Sequence, residues 1–170
     1  MQGISEKKIK IGILGGTFDP PHKGHVYISK IALKKLKLKK LIWAVTKKNP
    51  FKKEPFLSLS LRIKLSKKIT KEEKKISIKC FDNKFKSINT YNLIKKFKEK
   101  NKNLKIFFII GADNLVNFHK WGNWKKIPEL AKIVIFPRKN YSFKQIIYKK
   151  LNKKDLIYIK SKKINISSSL

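Results

Sequence analysis

The sequence predicts an α/β protein with an open, mainly parallel, doubly wound sheet. Segments with the pattern of strands alternate with segments of helical spacing along the whole chain, which is typical of parallel strands joined by helices that cover both faces of a sheet. The 170 residues and 41% hydrophobic composition suit one compact domain with a sizeable core. In such a sheet, ligands bind beyond the carboxyl ends of the strands, where the strand order reverses.

The opening elements are a strand, a helix and a second strand. KIKIGILGG, residues 8–16, predicts a buried strand followed by a tight turn. Residues 24–38 carry apolar side chains at roughly helical spacing and predict a helix. LIWAVTK, from Leu41, predicts the second strand, and the proline-containing stretch 49–55, NPFKKEP, predicts a loop.

The middle of the chain continues this alternation. Apolar residues from Leu59 onward predict a helix, and KISIKCF, from Lys75, alternates as a strand does. Residues 90–100 favour another helix. LKIFFII, from Leu104, is the most apolar stretch, and its uninterrupted run over 106–110 is far too short to span a membrane, so it predicts a buried strand.

The last third of the chain begins with two short predicted helices, over 114–119 and 124–130. KIVIFP, residues 132–137, then predicts a strand. A helix over 143–151 and a final strand in DLIYIK, residues 155–160, complete the predicted order of elements.

Neither repeats nor a long linker interrupt this order, so we expect a single domain over residues 1–170. A lone cysteine, Cys80, excludes an internal disulfide and favours a reducing compartment. The amino terminus lacks the apolar core of a signal peptide. We therefore expect a cytoplasmic protein with no membrane partner, and a homo-oligomer is compatible with the sequence.

The formal net charge of +34 comes almost entirely from lysine, because Arg62 and Arg138 are the only arginines. A nucleic-acid-binding protein is one interpretation of such a charge. The lysines, however, are scattered over every predicted helix, and arginine, which suits bidentate reading of guanine, is nearly absent. The richness in lysine, isoleucine, asparagine and phenylalanine is typical of AT-rich codons, which favours solvated lysine-rich faces without a specific nucleic-acid partner.

The stretch GGTFDPPHKGH, residues 15–25, follows the first predicted strand, at the edge of the sheet where a ligand site is expected. Its two glycines would let the backbone turn sharply and approach a ligand closely. Thr17 offers a hydroxyl and an amide, and Asp19 with Pro20 would fix the loop that leads into the next helix.

The two histidines of this stretch predict a phosphate site. Pro21 suits the first position of a helix, and His22 and His25, three residues apart on a first turn, would project to the same side. Gly24 would leave the amino terminus of the helix bare, and bare amides with a helix dipole attract phosphate. Two imidazoles beside them could donate hydrogen bonds to phosphate oxygens without a metal ion in the protein.

Other interpretations of H-x-x-H remain open at this point. The pair could be two exposed histidines in a turn, or part of a zinc site, although a third ligand is not evident. The patterns of a P-loop and of a GxGxxG dinucleotide site are both absent. The residues therefore favour a phosphate site of a different design.

GGTFDPPHKGH closely resembles the G-[GS]-[TS]-F-D-P-x-H-x-G-H signature of the nucleotidyltransferase superfamily. Three further stretches resemble the bacterial nicotinate-nucleotide adenylyltransferases within it. IIGADNLVNFHKWGNW is similar to their G-A-D-x-L-x-x-[FL]-x-x-W-x-x-W segment, KIVIFPR to the strand that follows, and INISSS to the start of their closing I-S-S-T-x-I-R motif. The resemblance covers almost the whole chain and implies a Rossmann-like nucleotidyltransferase fold.

The resemblance implies that the adenylyl group of ATP, which carries Mg²⁺, is transferred to nicotinate mononucleotide to give deamido-NAD and pyrophosphate. The implied catalytic residues are His22 and His25. The residues implied to bind ATP are Gly15, Gly16, Thr17, Phe18, Gly24, Gly111, Asp113, Ile135, Ser167 and Ser168. Those implied to bind the mononucleotide are Asn49, Lys52, Thr90 and Trp121, with the tryptophan ring stacked on nicotinate.

This chain departs from the family pattern at two places. SINTYNL matches a T-x-D-T-L segment imperfectly, with Thr90 at the first threonine and Asn92 and Leu93 at the aspartate and the second threonine. The closing motif stops at Leu170, without the family's arginine and the helix that follows it, and we expect weaker binding of ATP on that account.

Two alternatives to this function stay open. A sister transferase would use another phosphorylated acceptor, such as phosphopantetheine, or a cytidylyl chemistry. An inactive, basic nucleic-acid-binding module would account for the charge, and would bind DNA with a steep dependence on salt and without turnover of ATP.

Overall fold

The computed structural model describes residues 6–82, 88–141 and 151–161. Its six strands are β1 (Ile9–Gly16), β2 (Lys40–Val45), β3 (Ile76–Lys79), β4 (Leu104–Gly111), β5 (Ala131–Phe136) and β6 (Leu156–Tyr158). Its helices are α1 (Lys23–Lys35), α2 (Leu59–Ile69), α3 (Thr90–Lys100), α4 (Ala112–Leu115) and α5 (Ile127–Leu130). Short 3₁₀ turns lie at Phe118–Lys120, Trp124–Lys126 and Lys153–Asp155.

All six strands are parallel and form one sheet in the order β3-β2-β1-β4-β5-β6. The chain runs outward from β1 to β3, then crosses back to place β4 on the other side of β1. The strand order therefore reverses between β1 and β4, and this reversal marks where a ligand site is expected. The predicted open, doubly wound sheet is confirmed.

Both faces of the sheet are buried, because successive side chains of the central strands alternate between two cores. In β4, Ile106 and Phe108 pack with Ile94 of α3 and Ile127 of α5 on one face. On the other face, Ile109 packs with residues of α1 and with the fully buried Trp43 of β2. This explains why β4 is apolar almost throughout instead of alternating with polar residues.

The longer helices begin at polar caps that the sequence supplies. The Ser58 hydroxyl accepts a hydrogen bond from the Leu61 N–H at the start of α2. The Asn89 side chain accepts one from the Asn92 N–H at the start of α3. Such caps satisfy amide groups that the first turn leaves without partners. None of the helices within the described residues is both long and apolar enough to cross a membrane.

The predicted elements differ from the observed ones mainly after β4. The helix predicted over 114–119 is wrong as a single element, because α4 ends at Leu115 and a separate 3₁₀ turn follows. The helix predicted over 124–130 begins as a 3₁₀ turn and continues as α5. The helix predicted over 143–151 lies outside the described residues, apart from Leu151, which is not helical.

Candidate active site

A cavity of about 300 Å³ opens at the carboxyl ends of β1 and β4, where the strand order reverses. Residues that follow each of the strands β1 to β5 contribute to its wall, together with the strand ends. It is lined by most of the residues that the sequence predicted for the site, namely Gly15, Gly16, Thr17, Phe18, His25, Asn49, Lys52, Thr90, Gly111, Asp113 and Trp121. The fold thus brings together residues that are up to 106 positions apart, from the first strand to the segment after β4.

Three predicted site residues in the described part of the chain do not line this cavity. His22 and Gly24 lie beside it at the start of α1. Ile135 is fully buried within β5, and its carbonyl accepts a hydrogen bond from the Ile159 N–H; its implied role in binding ATP stays a prediction. Ser167 and Ser168 lie outside the described residues, as does the closing motif to which they belong.

The loop after β1 turns at a phenylalanine, and the predicted turn at the two glycines is wrong. Gly15 and Gly16 continue β1, in register with Ala44 and Val45 of β2. The left-handed residue is Phe18, with φ of 51°, a conformation that is rare for a bulky side chain. Its buried ring packs parallel to that of Trp43, with centroids 4.6 Å apart. The glycines instead leave the end of the strand bare toward the cavity.

His22 and His25 form a reciprocal cap at the start of α1. The Gly24 N–H donates to Nδ1 of His22, and the His22 N–H donates to Nδ1 of His25, each at 3.1 Å. The two rings lie 3.8 Å apart between centroids. The expected proximity is therefore present, but its predicted cause is wrong: His22 is the extended residue before the helix, and Pro21 precedes it instead of opening the first turn.

This cap fixes the tautomer of both rings. Because each Nδ1 accepts a backbone N–H, neither carries a proton there, and each neutral imidazole has its proton on Nε2. Nε2 of His22 is buried and has no hydrogen-bond partner among the described residues. Each ring therefore carries an Nε2–H donor without being protonated, and of the two rings His25 lines the cavity.

The surroundings keep the histidines neutral. Burial lowers the pKa of His22, and the positive charge of Arg138 adds to this effect. Burial lowers the pKa of His25 well below its usual range, with further contributions from His22, Arg138 and Lys52. At neutral pH both rings are therefore uncharged donors, and the positive charge at the site comes from the neighbouring lysine and arginine.

The lowered pKa of His25 predicts a loss of stability in acid. Below the ordinary histidine pKa of 6.5, the unfolded chain binds a proton that the folded ring does not, so the free energy of unfolding falls as the pH falls from that value toward the lowered pKa. Denaturant unfolding between about pH 7.5 and about pH 5.5 measures this slope. His25→Asn, which keeps a capping acceptor but does not titrate, should show a smaller fall; equal slopes would contradict the assignment.

A network of hydrogen bonds and packed rings holds His25 in place. The Trp43 indole N–H donates to the Ser29 hydroxyl at 2.9 Å, and this hydroxyl donates to the His25 carbonyl at 2.7 Å. The His25 ring lies 4.8 Å from the Phe18 ring and edge-on to Trp43 at 5.7 Å. The first turn of α1 is thereby fixed to β2 by both hydrogen bonds and ring packing.

The wall of the cavity also carries an ionic cluster around Asp113. This carboxylate lies 3.4 Å from Nε of Arg138 and 3.8 Å from Nζ of Lys52. A Cβ at Gly111 would lie only 2.4 Å from Oδ1 of Asp113, so the arrangement requires a residue without a side chain there. Lys52 and Asp113, which the sequence predicted for different substrates, are thus neighbours in the fold.

Trp121 forms a wall of the cavity next to the start of α3. Its ring packs edge-on against Phe108 of β4, with centroids 6.1 Å apart. The next residue, Gly122, is so close to Asn89 that an added Cβ would lie 3.2 Å from its side-chain nitrogen. Thr90, the first residue of α3, lines the same part of the cavity. Trp121 and Thr90, both predicted for the mononucleotide, therefore face one region.

Sequence reasoning assigned no site role to two charged residues that brace the loops around the cavity. Arg62, in α2, is buried and donates hydrogen bonds to four backbone carbonyls. The Asp82 carboxylate accepts from the Lys47 N–H at 2.6 Å and from the Ile88 N–H at 2.7 Å. A usable signal for Arg62 was its rarity, since it is one of two arginines among 44 lysines and arginines.

Asp19, which the sequence predicts to fix the loop that leads into α1, binds the loop that precedes α2. The Asp19 carboxylate accepts hydrogen bonds from the N–H groups of Phe56 and Leu57, in the loop that precedes α2. The loops after β1 and β2 are therefore tied to each other.

Within the described part of the chain, no three His, Cys, Asp or Glu side chains lie close enough together to hold a metal ion.

Comparison with known proteins finds a family model and relatives that match this chain. The family model described as cytidylyltransferase-like matches residues 13–170. A protein of Pelagibacter ubique named "Probable nicotinate-nucleotide adenylyltransferase" is 49% identical over 98% of this chain and 93% of its own length. A Clostridium tetani protein of the same name is 36% identical over 94% of this chain and 84% of its own.

Solved structures show the same fold. The nicotinic acid mononucleotide adenylyltransferase of Plasmodium falciparum, solved in complex with NaAD, superposes with a TM-score of 0.80 at 23% identity, over 95% of this chain and 81% of that one. The same enzyme in complex with APC superposes with a TM-score of 0.79, over the same shares of the two chains.

Proposed function

This chain belongs to the cytidylyltransferase-like family and, within it, to the nicotinate-nucleotide adenylyltransferases, and from that premise we propose that it transfers the adenylyl group of ATP to nicotinate mononucleotide. The products are deamido-NAD and pyrophosphate, which places the reaction in NAD biosynthesis. The observation that carries the proposal is the histidine pair, whose Nδ1 atoms are held by backbone N–H groups so that both Nε2–H groups are left as donors beside the cavity.

The reaction is an in-line displacement at phosphorus. An oxygen of the mononucleotide 5′-phosphate attacks the α-phosphorus of ATP. The bond between that phosphorus and the oxygen that bridges the α- and β-phosphates breaks, and pyrophosphate leaves. The chain needs no nucleophile of its own, so its work is alignment and stabilisation of negative charge. His22 and His25 donate from Nε2 to the phosphoryl oxygens on which this charge grows. Mg²⁺ arrives with ATP and neutralises its phosphates.

The two substrates meet at the bare end of β1. Gly15 and Gly16 leave room there for the reacting phosphates. On the ATP side, the Asp113 carboxylate accepts hydrogen bonds from ribose hydroxyls, a task that suits an acceptor with two oxygens. On the mononucleotide side, Trp121 stacks on the nicotinate ring, while Asn49 and Thr90 contact the polar groups. The mononucleotide phosphate is bound by Lys52.

One reaction mixture tests the proposal. The protein is incubated with ATP, Mg²⁺ and nicotinate mononucleotide, and the products are separated by chromatography and weighed by mass spectrometry. Deamido-NAD and pyrophosphate in equal amounts support the proposal. Turnover with phosphopantetheine, or with CTP as the donor, would instead identify a sister transferase. Steeply salt-dependent DNA binding without any nucleotide turnover would identify an inactive basic module.

Trp121→Ala should raise KM for nicotinate mononucleotide by about tenfold while leaving KM for ATP nearly unchanged. Loss of an aromatic platform under a base costs roughly 1–3 kcal/mol of binding, and Trp121 lines the cavity beside Thr90. Initial rates with each substrate varied in turn measure both constants. The matched control is Trp124→Ala, which removes a ring packed against Phe118 that does not line the cavity. A rise in KM for ATP alone would place the nicotinate ring elsewhere.

Three further features belong to this proposal. Ser167 and Ser168 are proposed to bind ATP phosphates, as the resemblance of the closing motif implies. The reaction is proposed to take place in the cytoplasm, in keeping with a lone cysteine. The net positive charge of the cluster of Lys52, Arg138 and Asp113, which lines the cavity, is proposed to favour the acid mononucleotide over its amide, because the acid carries an additional negative charge.

A further inference from the structure

We propose that Arg62 is a positioning residue, which holds the loop that carries Lys52 in place relative to the loop after β1 and so sets the affinity for the mononucleotide. The inference rests on the proposed function and extends it to a side chain that does not line the cavity. Arg62 is 2% exposed, on the first turn of α2, directly behind the loops that form the cavity wall.

The contacts of Arg62 join three segments that are distant in sequence. One terminal nitrogen donates to the carbonyl of Thr17 at 2.6 Å and to that of Thr46 at 2.8 Å. The other donates to the carbonyl of Lys47 at 2.9 Å, and Nε donates to that of Leu57 at 3.0 Å. The same guanidinium therefore holds the start and the end of the loop between β2 and α2, together with the loop after β1.

Arg62 holds Thr46, which lines the cavity at the start of this loop, and the other cavity residues of the loop lie between the two ends that it holds. Lys48, Asn49, Pro50, Phe51 and Lys52 line the cavity, and all of them lie after Lys47 and before Leu57. On the other side, Thr17 itself lines the cavity where the two substrates meet. A shift of the guanidinium would therefore move Lys52 relative to the reacting phosphates.

Carboxylates near Arg62 balance its charge, and they bind N–H groups of the same loop. Burial lowers the pKa of Arg62, and the nearby carboxylates of Asp19 and Asp82 oppose this effect. Asp19 and Asp82 also accept hydrogen bonds from N–H groups of the same loop, at Phe56, Leu57 and Lys47. The carbonyls bind the cation and the amides bind the anions, so both ends of the loop are held by two kinds of charged partner.

Lysine could not replace this residue. The guanidinium presents donors from three nitrogens in a rigid plane, whereas an ammonium places all of its donors on one nitrogen at the end of a flexible stem. In a chain with 44 lysines and arginines, arginine occurs only at positions 62 and 138, and Arg138 lines the cavity. Where only charge or solubility is needed, this chain uses lysine, so an arginine marks a requirement for the forked geometry.

A double-mutant cycle with Lys52 tests the proposal. Arg62→Lys keeps the charge and loses the fork, and should raise KM for the mononucleotide by about tenfold or more, since misplacement by an ångström is costly at such sites. In the wild type, Lys52→Ala should raise the same KM by about tenfold, the loss of one charge-assisted contact. In the Arg62→Lys background, Lys52→Ala should raise it by about twofold or less, because a displaced lysine has little left to lose.

The control is Ser66→Ala, one turn further along α2. Ser66 is also buried, and its hydroxyl has no hydrogen-bond partner among the described residues. Lys52→Ala should keep its full effect in this background. If Arg62→Lys is poorly folded by its circular dichroism and melting curve, Asp82→Asn takes its place, since it loosens the Lys47 N–H at the same end of the loop.

Each outcome decides for or against the inference. Coupling between the Arg62 and Lys52 variants, without coupling to Ser66→Ala, supports it. Effects that multiply independently would show that Arg62 acts only on overall stability, and a Lys52→Ala variant with wild-type KM would show that the loop is not the route; either overturns the inference while the proposed function stands. A wild type that forms no deamido-NAD would refute the proposed function first, and the inference would fall with it.

Discussion

His22→Asn should lower kcat by about a hundredfold or more while the free energy of unfolding stays within about 1 kcal/mol of the wild type. The asparagine oxygen can accept the Gly24 N–H that Nδ1 of His22 accepts now, and asparagine is among the best residues at this capping position. No atom of asparagine reaches the place of Nε2, so a preorganised donor to the transferring phosphates is lost. Steady-state rates and denaturant unfolding measure the two effects separately.

The same change at an exposed histidine gives the control for this experiment. His119 lies in the 3₁₀ turn after α4 and is exposed to solvent, so His119→Asn should alter neither kcat nor stability. His22→Gln complements the pair, because glutamine can place a donor near Nε2 but fits the cap poorly, and it should lose stability with a smaller loss of kcat. Unchanged turnover in His22→Asn would mean that Nε2 does not contact the reacting phosphates.

The order of the elements could be predicted because burial on both faces leaves a direct trace in the sequence. LKIFFII is apolar almost throughout, and β4 packs against helices on both sides. The position of the site followed from the same reasoning, since GGTFDPPHKGH comes directly after β1 and the strand order reverses there. The resemblance to the nicotinate-nucleotide adenylyltransferases is confirmed by relatives that match along nearly the whole chain.

The local geometry could not be predicted as well, because it depends on partners that are distant in sequence. A turn at two glycines is a reasonable prediction from local preference, yet Phe18 takes the left-handed conformation, with its ring packed against Trp43. The histidine spacing predicted that the two rings lie close together on one helical turn. In the structure, the rings accept hydrogen bonds from backbone N–H groups, and His22 lies before the helix. Long-range packing decided both conformations.

The residues that hold the loops around the cavity, Arg62 and Asp82, were the hardest to predict from the sequence. Asp82 had no role that the sequence could suggest, because its partners are backbone N–H groups of Lys47 and Ile88, and backbone groups are the same at every residue. Among the described residues, the hydrogen bonds of the Arg62 side chain likewise all go to backbone carbonyls. A periodicity argument finds apolar faces and a motif finds catalytic side chains, but neither identifies a side chain whose partners are all main-chain atoms.

Asp113→Asn should raise KM for ATP by about ten- to a hundredfold, with a smaller effect on KM for the mononucleotide. The carboxylate has two acceptor oxygens for ribose hydroxyls, while the amide keeps one and turns a donor toward the other hydroxyl. Loss of hydrogen bonds to a charged group costs roughly 1.5–3 kcal/mol. The ATP dependence of the initial rate, at a saturating concentration of the mononucleotide, measures this change.

The control must separate this loss of binding from the loss of an ion pair, since Asp113 also lies 3.4 Å from Arg138 and 3.8 Å from Lys52. Asp155 offers a close match: its side chain is 19% exposed against 22% for Asp113, and it lies 3.7 Å from Lys132 without lining the cavity. Asp155→Asn should leave both KM values unchanged. Equal effects of the two substitutions would assign Asp113 a purely structural role, whereas an effect confined to Asp113→Asn and to ATP would place the adenosine ribose at the end of β4.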